Sequence, residues 1–432
     1  MLIVARCLNL EEIPVIPGLT QIYCEGCPLL KKIPNIPGLK KIYCDECPLL
    51  TEIPNISGLK FLRCIGCIGL KKIPNISGLK TLVCSDCPLS EIPNIPGLLY
   101  LYCSNCSLTE IPNISGLEEL DCSGCPITKI PNIAGLKELY CWCCPFLTEL
   151  PMIPTLKKII CRECPLLTEI PNQVKLKKLF CSECPLLRKI PVIKGLKELD
   201  CRECPLLREI PIIKGLKILE CSQCMITEIP VIKGLKELVC IECPLIREIP
   251  IIIGLKTLYC CYSSILKIPN IVGLNYLNCE SCELLTEISN IIELKELRCT
   301  NCPLLTRIVN ISGLEKLYCF NCVSLREISY VPPLEILWCY GCSLLTKIPH
   351  MLDVTDETLL CYDCPWLIEN SENNLMEGLK LQKWIKSNFK FFVFRKWINS
   401  IEGKEFLYHP DNIGGRVEKT KIGKVFLTME SL

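Results

Sequence analysis

The chain has 432 residues, 50% of them apolar, and its 48 basic and 46 acidic residues leave a formal net charge of +2. That balance gives no chain-wide attraction for nucleic acid or an anionic membrane, and no run of eighteen apolar residues is present to span a bilayer. The 38 cysteines are the anomaly, since cysteine density implies a disulfide framework only in a short, secreted chain.

The N-terminal stretch MLIVARCLNLEEIP has a short apolar start without a cleavage-like site, which predicts an intracellular, cytoplasmic protein. In that reducing compartment structural disulfides are rare. The N-x-S sequons at Asn55, Asn75, Asn113 and Asn310 then carry no glycan. Cys7 sits six residues before Ile13, as Cys27 does before Ile33, so the chain opens on a truncated unit of a repeat. The first cysteine of each later unit falls at 24, 44, 64, 84, 103, 122, 141, 161, 181, 201, 221, 240, 260, 279, 299, 319, 339 and 361. The steps are 19 or 20 residues, with 22 for the last. Residues 1–368 therefore form one array of about 18–19 repeats rather than several domains.

Each unit reads approximately L-x-x-L-x-C-x-x-C-P-L-L-x-x-I-P-x-I-x-G, as in Leu196, Leu199, Cys201, Cys204, Leu207, Ile210 and Ile213. The L-x-L-x-C portion alternates over a short span, the pattern of a half-buried strand. Proline and glycine punctuate the remainder, which excludes a helix there and favours an extended, polyproline-like return. A twenty-residue coil buries too little apolar surface to offset its own ordering entropy. Stability must come from strand pairing and shared burial with the coils on either side.

L-x-x-L-x-C-x-x-C-x-L resembles the leucine-rich repeat signature, with the first cysteine at the third leucine position and the second at the Asn/Cys ladder position. The I-P-x-I-x-G-L return is similar to the shortest leucine-rich repeats, those of bacterial effector proteins. The cysteine-rich I-P-N-I variety is similar to leucine-rich repeat proteins of giant DNA viruses, which would place the chain in the host cytoplasm. The resemblance implies a repeat solenoid: a horseshoe with a parallel β-sheet on the concave face and an extended, polyproline-like convex side. Eighteen or nineteen strands at about 4.8 Å would run roughly 85–90 Å.

Recurring C-x-x-C pairs also match a zinc pattern. Against zinc stand the inward-facing ladder positions, where cysteine acts as a small hydrophobe with a weak S–H donor, and a histidine count of 2. In the thirteenth unit Ser263 replaces the second cysteine while the leucine and proline pattern runs on. The expectation is a structural ladder with no metal and no cofactor; metal binding and thiol–redox chemistry are the alternatives. Cys143 and Cys261 fall between ladder positions, and we expect them to be the surface thiols.

The residue between the second leucine and the first cysteine should point out to the concave surface. Along the stack this column is rich in aromatics: Tyr23, Tyr43, Tyr102, Tyr140, Phe180, Tyr259, Tyr318 and Trp338, with Phe61, Tyr100 and Tyr276 two positions earlier. These eight column residues are the candidate partner-binding site, because aromatics anchor interfaces; their general suitability for strands is the alternative. Glu119, Asp121, Glu138, Glu198, Asp200, Glu220 and Glu237 crowd the middle of this face, offset by Lys158 and Lys178, and suit either a basic partner segment or plain solvation. Rows of lysine (Lys137, Lys157, Lys177, Lys197, Lys217, Lys236) and of acid (Glu169, Glu209, Glu228, Glu248) read as solubilising flanks.

The grammar breaks at PHMLDVTDETLL, and residues 369–432 form a basic, aromatic tail. Trp384, Phe391, Phe394 and Trp397 alternate with Lys383, Lys386, Lys390, Arg395 and Lys396, in the manner of a helical cap over the last coil. Partner docking, or nucleic-acid or membrane contact by residues 371–432, are the other readings. The expected function is a non-enzymatic protein–protein interaction scaffold with a protein partner and no evident small-molecule substrate. Effectors with similar repeats also carry a ubiquitin-ligase domain with a catalytic cysteine, but no cysteine follows Cys364 here.

Overall fold

The computed structural model describes residues 1–309, 311–329, 334–346, 359–360 and 364; the expected cap, residues 369–432, lies outside them. Each unit makes one turn of a stacked coil and contributes one strand of two or three residues to a 19-stranded sheet running from Leu2–Ile3 to Leu359–Leu360. All pairings are parallel, and the register is constant: Leu179 lies beside Leu199, Leu199 beside Leu219, and Leu219 beside Leu238. No helix occurs among the described residues.

Seven side chains of each coil point inward. In the coil quoted above, Leu196, Leu199, Cys201, Cys204, Leu207, Ile210 and Ile213 are all buried. Their spacing of three residues everywhere except across the strand, where it is two, gives a coil with flat sides and tight corners. The unit length varies without disturbing this interior. In 20-residue units Leu50 N–H donates to the Cys47 carbonyl across a turn that holds the half-exposed Leu49. In 19-residue units that residue is missing, and Leu108 follows Cys106 at a distance of two while remaining fully buried.

The two cysteine columns address opposite neighbours. Second-column thiols donate back to the carbonyl of the first cysteine one coil earlier, as in Cys47 to Cys24 (3.1 Å), Cys204 to Cys181 (3.3 Å) and Cys342 to Cys319 (3.0 Å). First-column thiols reach forward more weakly, as in Cys24 to the Tyr43 carbonyl at 3.5 Å and Cys44 to Arg63 at 3.4 Å. Ser263 fills its rung: Oγ donates to the Cys240 carbonyl at 3.0 Å and accepts the Cys243 N–H at 3.1 Å. Burial pushes first-column thiols such as Cys181, Cys201, Cys221 and Cys240 well above the usual range, so they stay protonated donors and poor nucleophiles.

The residue between the cysteines turns the chain through the left-handed region. Glycine serves at Gly26, Gly66 and Gly124, but Glu46, Asp86, Asn105 and Glu183 hold the same conformation at φ of 55–58°. A non-glycine residue there costs on the order of 1 kcal/mol. Coil-to-coil pairing enforces it: Glu46 N–H donates to Ile65 O at 2.7 Å and Glu183 N–H to Arg202 O at 2.8 Å.

The lysine row does more than confer solubility. Lys60, Lys80, Lys197 and Lys236 each donate from Nζ to the carbonyl of the glycine at the next coil's corner, at 3.0–3.2 Å. Gln173 stands where other coils have isoleucine and is fully buried, yet it is satisfied, donating to the Pro151 carbonyl (2.6 Å) and accepting the Ile153 N–H (3.1 Å).

Candidate binding face

Constant register lines up the third residue of every strand. Tyr23 neighbours Tyr43, Tyr102 neighbours Asp121, Phe180 neighbours Asp200, and Tyr318 neighbours Trp338, so all eight expected residues lie in one column with half-buried side chains. They do not form one cluster. Tyr23 and Tyr43 stack at 4.4 Å, and Tyr43 meets Phe61 at 4.8 Å, making an N-terminal aromatic pole. At the other end Tyr259 packs on Tyr276 at 5.0 Å, and Tyr318 meets Trp338 edge-on at 5.1 Å.

Between the poles the aromatics are held by charge. Lys158 Nζ sits 4.7 Å from the Tyr140 ring centre and donates to its hydroxyl (3.0 Å), which donates in turn to Glu138 at 2.7 Å. Arg162 covers Phe180 at 5.2 Å, and at the C-terminal end Arg298 covers Tyr318 at 4.5 Å. Burial and the nearby Glu119 carboxylate push the Tyr102 phenol up to about 12. Glu119 is itself raised, first by burial and then by Glu138. Apart from Tyr102, each ring of the column thus packs against another ring or a cation.

The acidic middle is less available than its sequence suggests. Asp200 is 3% exposed, gripped by Arg162 Nη2 (2.7 Å) and by Arg202 through Nε (3.1 Å) and Nη2 (3.2 Å). Arg202 also pairs with Glu220 at 3.2 Å, and Lys178 with Glu198 at 2.9 Å. Of the two readings of this acidic region, a basic partner segment or plain solvation, neither describes Asp200: Arg162, two coils earlier, and Arg202, two residues on, pair with its carboxylate.

A further column belongs to this face. Where the residue after the first cysteine is large it reaches the same face, which adds the Phe320–Tyr340 stack (4.5 Å), the exposed Trp142 and both arginines, while small members such as Ser123, Ser182 and Thr300 are buried. Strand alternation carried two residues past the column would have found it. The expected surface thiols divide: Cys261 is buried, whereas Cys143 is half-exposed and donates to Glu163 at 2.9 Å, its thiol pushed up to about 11 by burial and that carboxylate. Among the described residues no group of three or more His, Cys, Asp or Glu side chains is placed to hold a metal ion, and no helix is long and apolar enough to cross a membrane.

The family model for the Leucine Rich Repeat matches residues 116–136, which is one full coil from Leu117 to Leu136. The interior positions of that coil recur along the described array, with Gln173 and Ser263 as polar replacements and the first coil only partly buried. The chain is similar to the functional domain of InlJ from Listeria monocytogenes, whose structure includes a cysteine ladder, at 20% identity and a TM-score of 0.36. That alignment covers 74% of this chain and 64%, under two-thirds, of the other. A leucine-rich repeat protein of Leptospira interrogans is similar at 16% identity and a TM-score of 0.44, over 74% of this chain and 89% of that one. YopM from Yersinia enterocolitica follows at 18% identity and a TM-score of 0.40, over 82% and 89% respectively. Curated proteins offer no match.

Proposed function

We propose that this leucine-rich repeat protein is a non-enzymatic scaffold that binds another protein along its concave sheet. One observation carries the reading: the aromatic column is pre-oriented by ring stacking and by the Lys158, Arg162 and Arg298 cations. Rings already fixed lose little freedom on association, which is how tyrosine and tryptophan serve as anchors. The partner would be long enough to engage an aromatic pole and the salt-bridged middle together. Because Asp200 is already paired, polar complementarity there rests on the outward edges of Arg162 and Arg202 rather than on a continuous acidic track. Buried thiols that donate to carbonyls must remain reduced, which supports the cytoplasmic reading.

The test is capture of a partner from native cell extract by the full chain and by a Tyr102→Ala, Tyr140→Ala, Phe180→Ala triple variant. The expected outcome is loss of capture at least tenfold, with the circular dichroism spectrum unchanged. Undiminished capture by the variant would remove the concave face from the binding event.

A further inference from the structure

We infer that an aliphatic band on the return side is the surface through which two copies of this chain associate side by side. In four successive coils the outward residue of I-P-x-I is Val192, Ile212, Val231 and Ile251, each 52–58% exposed. The band continues two residues further along the coil at Ile253, Val272 and Ile292, 59–76% exposed. The fold does not require apolar residues at these places. Coils nearer the N-terminus carry Asn35, Asn55 and Asn75 at the first position, and Pro37, Ser57 and Ser77 at the second.

Size and charge together point to a second copy. Seven such side chains at about 100 Å² of exposed surface each give roughly 700 Å², close to the roughly 800 Å² that each partner contributes to a standard interface. Lys194, Lys214 and Lys233 flank the band on one side, and Glu209, Glu228 and Glu248 on the other, all exposed and all without an ion pair among the described residues; Lys189 holds the glutamate position in Val192's coil and Ile253 the lysine position in Ile251's, so both signs flank the band in the two middle coils, those of Ile212 and Val231. A two-fold axis parallel to the stack lays the lysine column of one copy over the glutamate column of the other; an axis across the stack would lay lysine on lysine. An anionic lipid surface would accept the aliphatic band and the lysines but repel the glutamates. Only a parallel second copy uses both flanks.

Sedimentation equilibrium of the full chain at micromolar concentration tests this. The expected mass is that of a dimer. Ile212→Lys with Val231→Lys should halve it while leaving the circular dichroism spectrum and melting profile as they were. Lys214→Glu with Lys233→Glu should give monomers, as should Glu209→Lys with Glu228→Lys, and an equimolar mixture of these two charge variants should recover the dimer mass. A monomeric parent chain, a dimer indifferent to the aliphatic substitutions, or a mixture that fails to associate would each overturn the proposal. So would a monomer that instead sediments with phosphatidylserine vesicles. These positions lie off the concave sheet, so partner capture by that sheet should persist in every variant, and either reading survives the loss of the other.

Discussion

The two sides of each coil are built from the same chain under opposite rules. On the strand side, backbone pairing runs unbroken through 19 strands, and its donors extend beyond them: Glu198 N–H reaches the Lys177 carbonyl (3.1 Å) and Cys201 N–H the Glu220 carbonyl (2.8 Å). On the return side, proline follows the buried isoleucine in most coils, and only isolated bridges form, such as Glu12 with Lys32 and Glu169 with Lys189. Where that proline is absent the return pairs as well. Glu287–Ile288 pairs with Lys267–Ile268, where Ser289 in place of proline donates its N–H to the Ile268 carbonyl at 2.9 Å although the receiving coil keeps Pro269; Arg307–Val309 pairs with Glu327–Ser329, neither coil having the proline. Proline has no N–H to give, so its placement decides which side of the coil is a sheet and which is a spaced, extended wall.

The largest effect should come from imposing the return side's rule on the strand side. Glu198→Pro removes a ladder donor in mid-sheet without touching the core and should destabilise by roughly 3 kcal/mol or more, read as a lower urea midpoint. A smaller loss is expected at the adjoining ladder. Cys204→Ala leaves the Cys181 carbonyl without its thiol and should cost about 1–3 kcal/mol, while Cys204→Ser, which copies the Ser263 rung, should recover most of that stability. The smallest effect belongs to the return side: Ser289→Pro deletes one existing bond at a position where other coils already carry proline, for a cost of about 1 kcal/mol in the same urea titration. Equal effects for Glu198→Pro and Ser289→Pro would erase the distinction between the two sides.

Periodicity made most of the fold legible in the sequence. Seven inward positions per coil, the strand with its outward column, and the harmless serine at 263 all follow from spacing and alternation, because every coil must present the same interface to its neighbours. The features that escaped depend on side chains meeting across coils. Nothing in the alternation signals that Asp200 turns down between Arg162 and Arg202, the first of which lies 38 residues away. The lysine row looks like surface charge until the glycine carbonyl it caps comes into reach. Position alone marks Cys261 as outward, yet at the column after the first cysteine a small side chain lies below its neighbours and is covered, as Ser123, Ser182 and Thr300 are.

The opposed cysteine columns carry an evolutionary consequence. Each coil receives a bond from the second-column thiol, or from Ser263, of the unit above, and many send a weaker one upward, so successive coils meet through the same recurring contact. Excising a whole unit, or duplicating one, would rejoin matching surfaces and strand no donor. Array length is thereby released from the demands of folding, and the reach of the concave sheet becomes a quantity that gene-level copying can lengthen or shorten one rung at a time.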